Sequence, residues 1–230
     1  MFQSFESTAD PKAGPGRLAA LRARMAEAGL AGFIVPRADA HQGEYVAAHD
    51  ERLQWLTGFT GSAGFCIVLP QVAGVFIDGR YRTQVKAQVD LAAFTPVPWP
   101  EVKPGDWIRN ALAAGVVGFD PWLHTAKEID EIALGLAGSD VRLEPVANLV
   151  DAIWTGQPAP PAGRVVIQPL VLAGEAAGDK RGRLAGALAG AGHSAVVLTL
   201  PDSISWLLNI RGSDVARNPV VHGFAVLHRD

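Results

Sequence analysis

Two stretches of this chain repeat one order of elements, and that repetition limits the possible fold more than any other feature. The first begins at Arg17-Leu18 and carries AGLAGFIV; the second begins at Arg183-Leu184 and carries AGHSAVVLTL. Each reads as a helix that stops at a glycine and gives way to a buried strand. Further along, QWLTGFTGS (Gln54 to Ser62) matches SWLLNIRGS (Ser205 to Ser213). Helix, strand, short helix with Trp-Leu, then glycine loop: the shared order predicts two copies of one α/β unit.

The copies differ in extent. In the first, strand Phe65 to Leu69 turns at Pro70-Gln71 into a hairpin partner, Val72 to Ile77. In the second, the matching strand Val221 to Leu227 is followed only by His228-Arg229-Asp230. A hairpin half left open exposes an unpaired edge, which native proteins avoid. The expectation is an incomplete second unit, either a fragment or one that another chain completes.

Between these landmarks the signals alternate. Leu18, Leu21, Met25 and Ala28 recur at helical spacing before Gly29. Asp50 is expected to cap a short helix carrying Leu53, Trp55 and Leu56. Trp107 to Ala114 reads as a helix and Val116 to Phe119 as a strand. Thr125 and Glu128 form a capping box for a helix reaching about Leu136. Val141 to Leu143 is a further strand, and Asn148 is expected to cap a last short helix through Trp154. TGQPAPPAG, from Thr155 to Gly163, sustains neither period and reads as a linker. Strand Val165 to Ile167 and a helix from about Asp179 to Ala191 follow. That helix carries Gly182, Gly186 and Gly190 on one face; close approach to the sheet would explain them, and so would drift in codon usage alone.

The expected domains are therefore a flexible lead-in at 1–16, a first unit at 17–154, the linker at 155–163 and a truncated second unit at 164–230. The fold class is α/β, with mixed sheets flanked by helices. The chain has 230 residues and a formal net charge of -3, so it lacks the basic footprint of a nucleic-acid or anionic-membrane binder. No apolar stretch is long enough to span a bilayer. Cys66 is the single cysteine, which excludes an intrachain disulfide and fits a reducing compartment. Met1 to Pro15 has no apolar run and does not read as a signal peptide. A cytoplasmic protein is expected.

Five motifs carry a family resemblance: DAHQGEY (Asp39 to Tyr45), LTGFTGSAG (Leu56 to Gly64), FIDGRY (Phe76 to Tyr81), NLVDAIW (Asn148 to Trp154) and WLLNIRGSDVARNPV (Trp206 to Val220). In this order the chain resembles the N-terminal region of the aminopeptidase P family, the cytosolic Xaa-Pro aminopeptidases among the pita-bread metallopeptidases. The resemblance implies two related creatinase-N-like (ribonuclease H-like) domains, the second incomplete. It also implies a third domain beyond this sequence, whose Asp, His and Glu side chains hold two metal ions, usually manganese. No metal ligand and no catalytic residue is carried over onto this chain. The implied partners are a second copy of the chain, in a homodimer, and short peptides with proline in second position. Alternatives remain: a catalytically silent binding module of the histone-chaperone type, or the front of another pita-bread hydrolase such as prolidase or creatinase.

The residues themselves offer no complete catalytic set. There is no HExxH and no CxxC. The histidines, at 41, 49, 124, 193, 222 and 228, form no close ligand pair on one helix; His222 and His228 fall on one face if they share a strand. GFTGSAG lacks the lysine and spacing of a phosphate loop and reads as a tight turn. Ser62 has no adjacent base and is not a nucleophile candidate.

Asp78, Arg80 and Tyr81 place an acid, a cation and an aromatic at a strand end. On residue type this is a turn with a surface arginine. The resemblance points that edge at the active-site mouth of a neighbouring subunit, where Arg80 would bind a peptide carboxylate or carbonyl. Asp39 and His41, with Glu44 and Tyr45, form a polar group that either caps the next element or serves a site. Arg211 and Asp214 flank Gly212-Ser213; they form a salt bridge shaping the loop or line the substrate entrance. Trp55 and Trp206 occupy equivalent places in the repeat and are expected in the core. Trp99, in PVPWPEV, is the expected exposed aromatic; its segment is too proline-rich for a central strand.

Overall fold

The computed structural model describes residues 9–230. They divide into two compact units. The first contains the described residues up to Arg37 together with Glu51–Gln157. The second contains Ala38–Asp50 and Pro158–Asp230. A segment that lies between two elements of the first unit in sequence thus packs with the second.

The first unit runs α1 (Gly14–Glu27), β1 (Gly32–Pro36), α2 (Arg52–Thr57), β2 (Phe65–Val68), β3 (Ala73–Ile77), α3 (Gln84–Gln88), β4 (Thr95–Pro98), α4 (Pro104–Ala111), β5 (Ala114–Phe119), α5 (Ala126–Gly135) and β6 (Asp140–Pro145). Its six strands form one sheet in the order β4-β3-β2-β1-β5-β6. β2 is antiparallel to both neighbours and the other pairings are parallel. The expected mixed sheet is therefore present.

Alternation along the strands fills both faces of this sheet. Phe33, Val35, Cys66, Val68, Val75 and Ile77 join Leu18, Leu21 and Met25 of α1, Leu53 and Leu56 of α2 and Val85 of α3 in one cluster. Ile34, Ile67, Phe76, Val97 and Val117 join Ile108 of α4 and Ile132 of α5 in the other. A layer of helices covers each face. On the second, α4 and α5 approach closely at two glycines: a Cβ on Gly105 would meet the Ile132 carbonyl oxygen at 2.6 Å.

Several sequence expectations are corrected here. Of the lead-in, residues 1–8 lie outside the described residues, and Pro11–Ala13 and Gly14–Glu27 are helical, with Pro15 in the first turn of α1. Asp50 is not the N-cap of α2: it ends its own 3-10 turn, Ala48–Asp50, and the N-cap position falls to Glu51, without a side-chain cap bond. Asn148 starts a turn rather than a helix; its Oδ1 accepts from the Val150 and Asp151 amides. The proline-rich segment leading to Trp99 is not a central strand, as expected: it is the edge strand β4, beside β3, where Pro96 and Pro98 cost no central hydrogen bonds.

The second unit runs β7 (Val166–Ile167), α6 (Leu170–Ala173), α7 (Ala177–Gly190), β8 (Ala195–Leu198), α8 (Pro201–Leu208), β9 (Ile210–Arg211) and β10 (Ala225–His228). β7 pairs with β9 and β8 with β10, both antiparallel. The repeat is visible in the backbone. Both long helices end the same way, with Leu30 N donating to Met25 O and His193 N to Leu188 O, at 2.8 and 2.9 Å. Gly29 and Gly192 follow with φ of 69° and 75°. Gly58 closes α2 in the left-handed region, and Asn209 does so for α8.

The copies are not equivalent in packing. Trp206 is 45% exposed, not in the core, and its ring instead lies over the buried Lys180 ammonium, 4.4 Å from Nζ. Lys180 Nζ also donates to Trp206 O at 2.9 Å and Asn209 Oδ1 at 2.7 Å, tying α7 to the end of α8. Trp55 is only partly buried; it stacks on Trp154 at 5.3 Å. The glycine face of α7 meets nothing: a Cβ on Gly182, Gly186 or Gly190 has no neighbour within 4 Å. Of the two explanations for these glycines, close approach is not seen among the described residues.

Candidate functional site

In the first unit the chemistry gathers where β1, β3 and β4 end and β2 begins. Asp78 follows β3 and caps a 3-10 turn, Gly79–Tyr81, by accepting from the Arg80 amide at 2.9 Å. Its carboxylate also grips the Arg80 side chain: Nε lies 3.1 Å from each oxygen and Nη2 2.7 Å from Oδ2. These hydrogen bonds hold the Asp78 carboxyl below the usual carboxylate range. Arg80 is 66% exposed at its side chain, and its Cζ lies 5.1 Å from the centre of the Tyr81 ring. The cation is thus fixed on two sides while facing solvent.

Tyr81 is held in turn. Its hydroxyl shares a 2.6 Å hydrogen bond with Ser62 Oγ in the glycine loop, and its ring meets Phe59 edge-on at 5.6 Å. Arg37 Nη1 donates to Ser62 O at 3.0 Å. The loop is pinned to α3 as well, since Thr60 N donates to Gln88 Oε1 at 2.9 Å and Gln88 Nε2 to Thr60 Oγ1 at 2.7 Å. Beside this group Phe65 stacks on Phe76 at 4.5 Å and meets Trp99 edge-on at 6.1 Å. Trp99 is 36% exposed; Trp122, at 67%, is the more exposed indole.

The second unit holds a different group. Asp39 is 1% exposed, and its Oδ1 accepts from the amides of His41 at 2.9 Å and Gly43 at 3.2 Å. These bonds close a local turn at His41 and Gly43, ahead of the next element at Ala48–Asp50. Its Oδ2 has no hydrogen-bond partner and faces His222 Nε2 at 3.6 Å. His41 Nδ1 donates to Thr199 O at 3.1 Å. The His41 ring lies against His222 at 4.5 Å and Phe224 at 4.6 Å. His222 and His228 do not share a strand, because β10 begins only at Ala225. Nothing local marks His222 as a companion of Asp39; the chain must fold to bring them together.

Arg211 and Asp214 do not pair with each other. Asp214 accepts from Gly163 N and His222 N, both at 2.7 Å. Arg211 Nη1 donates to Ile210 O at 2.7 Å and Ser205 O at 3.5 Å. Backbone groups outcompete the expected ion pair on both sides. The seven candidate residues thus fall into two sets, with Asp78, Arg80 and Tyr81 in the first unit and Asp39, His41, Arg211 and Asp214 in the second.

Among the described residues no group of three or more His, Cys, Asp or Glu side chains is placed to hold a metal ion. Cys66 is fully buried and burial pushes its thiol up, so it is neither thiolate nor ligand. The two groups can bind and orient; neither joins a nucleophile to a base.

The sequence matches two family models, both described as the creatinase/prolidase N-terminal domain, over residues 17–153 and 156–230. It is 35% identical over 220 residues to Aminopeptidase P1 of Lotus japonicus, covering 91% of this chain and 32% of that protein. It is 34% identical over 228 residues to Aminopeptidase P2 of Arabidopsis thaliana, covering 93% of this chain and 31% of that protein. Among solved structures, an X-prolyl aminopeptidase from Caenorhabditis elegans, described as a cytosolic enzyme with a di-nuclear active site, superposes with a TM-score of 0.82 at 32% identity. The match covers 93% of this chain and 37% of that one. The chain spans about a third of the length of the relatives it matches.

Proposed function

We propose that this chain, which belongs to the creatinase/prolidase N-terminal domain family, is the non-catalytic N-terminal part of a two-metal Xaa-Pro aminopeptidase. The observation that carries this reading is the match to aminopeptidase P relatives along 91% of the chain, while it spans only 32% of their length. In this reading the metal pair, manganese, and the residues that hold it belong to the rest of the parent protein. The parent removes the N-terminal residue before proline, in the cytoplasm, as a homodimer.

The fragment contributes the dimer contact and part of the wall that restricts the site to short peptides. Arg80 is the group that meets the peptide: a guanidinium already oriented by Asp78 recognises a carboxylate or carbonyl without first losing much freedom. Asp39, His41, Arg211 and Asp214 shape the second unit near the entrance. Their buried hydrogen bonds suit holding loops in place rather than touching substrate.

The test is release of the N-terminal residue from a short Xaa-Pro peptide with manganese added, by this chain and by its full-length parent. Activity in the parent alone is expected. Metal-dependent activity in the chain would overturn the placement of the chemistry. Silence in both would favour a binding module that has lost hydrolysis.

A further inference from the structure

We propose that Ser62 of the glycine loop is a positioning residue for Arg80, acting through Tyr81. The inference rests on the reading that Arg80 meets the peptide. The Ser62 and Tyr81 hydroxyls are 2.6 Å apart, and the Arg80 guanidinium lies 5.1 Å from the centre of the Tyr81 ring. An arginine this exposed has four side-chain torsions to restrain. Asp78 restrains its tip from one side. The Tyr81 ring supplies the second surface, and a ring fixes direction only if it cannot swing.

Two contacts stop that swing. Phe59 bears on the ring edge at 5.6 Å, and Ser62 holds the hydroxyl at the far end. Ser62 is itself on a fixed base: Arg37 bonds its carbonyl, and Thr60, two residues before it, is locked to Gln88 by two hydrogen bonds. The loop therefore works as a template for the cation, and its serine is the link between the two. A residue that holds a binding group in its productive direction improves affinity without joining the reaction.

The experiment compares five variants of the full-length parent on Xaa-Pro-Xaa tripeptides: Ser62→Ala, Tyr81→Phe, the double variant, Ser62→Thr and Arg80→Ala. Loss of one hydrogen bond corresponds to a rise in KM of roughly three- to tenfold with kcat unchanged. Ser62→Ala and Tyr81→Phe are each expected to show it. The double variant is expected to be no worse than either single one, because both remove the same bond. Ser62→Thr keeps the hydroxyl and restores KM. In this chain alone, the Arg80 Nε–H order parameter measured by NMR falls in Ser62→Ala and recovers in Ser62→Thr.

A raised KM in Arg80→Ala with unchanged KM and Arg80 order in both hydroxyl deletions overturns the role of Ser62 and leaves the role of Arg80 standing. Unchanged KM in Arg80→Ala removes the role of Arg80 and this proposal with it. A fall in kcat without change in KM assigns Ser62 to the general framework and equally overturns it.

Discussion

Arg52 of α2 and Asp151, 99 residues later, are joined by two parallel hydrogen bonds, Nε to Oδ1 at 2.6 Å and Nη2 to Oδ2 at 3.0 Å. Arg52 is buried, and Gln157 Nε2 completes the Asp151 carboxylate at 2.9 Å. The pair fastens the end of the first unit onto its second helix. Removing the acid takes two charge-assisted hydrogen bonds from a cation that has little access to water. Asp151→Ala is expected to cost about 2–4 kcal/mol, below the largest values for buried pairs because Asp151 keeps partial exposure. Replacing both partners by apolar residues of similar size recovers most of the loss. Urea unfolding followed by tryptophan fluorescence checks this; a cost for Asp151→Ala under about 0.5 kcal/mol would place the pair with ordinary surface bridges.

The capping box of α5 gives a smaller and sharper effect. Thr125 Oγ1 accepts from Glu128 N at 3.2 Å, and Glu128 Oε2 accepts from Thr125 N at 2.8 Å. Thr125→Ala leaves the Glu128 amide without its partner and is expected to lose about 1 kcal/mol. Thr125→Ser keeps the oxygen and should lose little. Equal stability of the alanine and serine variants in the same urea series would show that the box contributes nothing.

His124 gives the protein a pH dependence with a defined sign. Burial lowers its pKa, and the carboxylates of Glu128 and Asp120 only partly oppose this. Its Nε2 is buried without a hydrogen-bond partner, so protonation there finds no acceptor. In the unfolded chain the imidazole gains a proton near 6.5, while in the folded chain it does so only at lower pH. Unfolding therefore takes up a proton in that window, and stability is lost as pH falls below 6.5 toward the folded value. His124→Gln should flatten the fall in urea midpoint between neutral pH and pH 5 relative to the parent sequence. Parallel curves for the two proteins would sink the assignment.

What the sequence discloses about this fold is what neighbours within a few residues decide. Gly29 stops α1, Pro70-Gln71 turns the β2–β3 hairpin, and Thr125 with Glu128 opens α5, all as their local chemistry requires. Several of the errors lie where a distant partner intervenes. Arg211 and Asp214 have the right charges to pair, but backbone groups from Gly163, Ser205 and His222 take their atoms. Trp206 repeats Trp55 in sequence, yet Lys180 draws it over a cation instead of into a core. Asp39 and His41 are legible as a polar pair after a strand; that His222 completes them is a fact of packing. Arg80 and Tyr81 stand out as residue types. Ser62 does not, because a serine in a glycine loop is ordinary until the fold puts its hydroxyl on a tyrosine.

Glycines separate these two kinds of information in one experiment. Gly58 has φ of 86°, and a Cβ there would sit 2.4 Å from the Gln88 carbonyl oxygen. An alanine at that position carries both a left-handed strain and a backbone clash, and the Gln88 carbonyl cannot move without disturbing α3. Gly58→Ala is expected to cost about 2–4 kcal/mol. Gly186 lies inside α7 with nothing within 4 Å of a Cβ and no positive φ. There the methyl group meets solvent and the chain loses less entropy on folding, so Gly186→Ala should gain about 0.5–1 kcal/mol. The two variants are compared by urea unfolding of this chain, with Gly182→Ala as a second helix position. A loss at Gly186 would mean that another surface packs on that helix face, the close approach that the glycine spacing first suggested. A gain there, beside a loss at Gly58, assigns the α7 glycines to composition and the Gly58 position to backbone geometry.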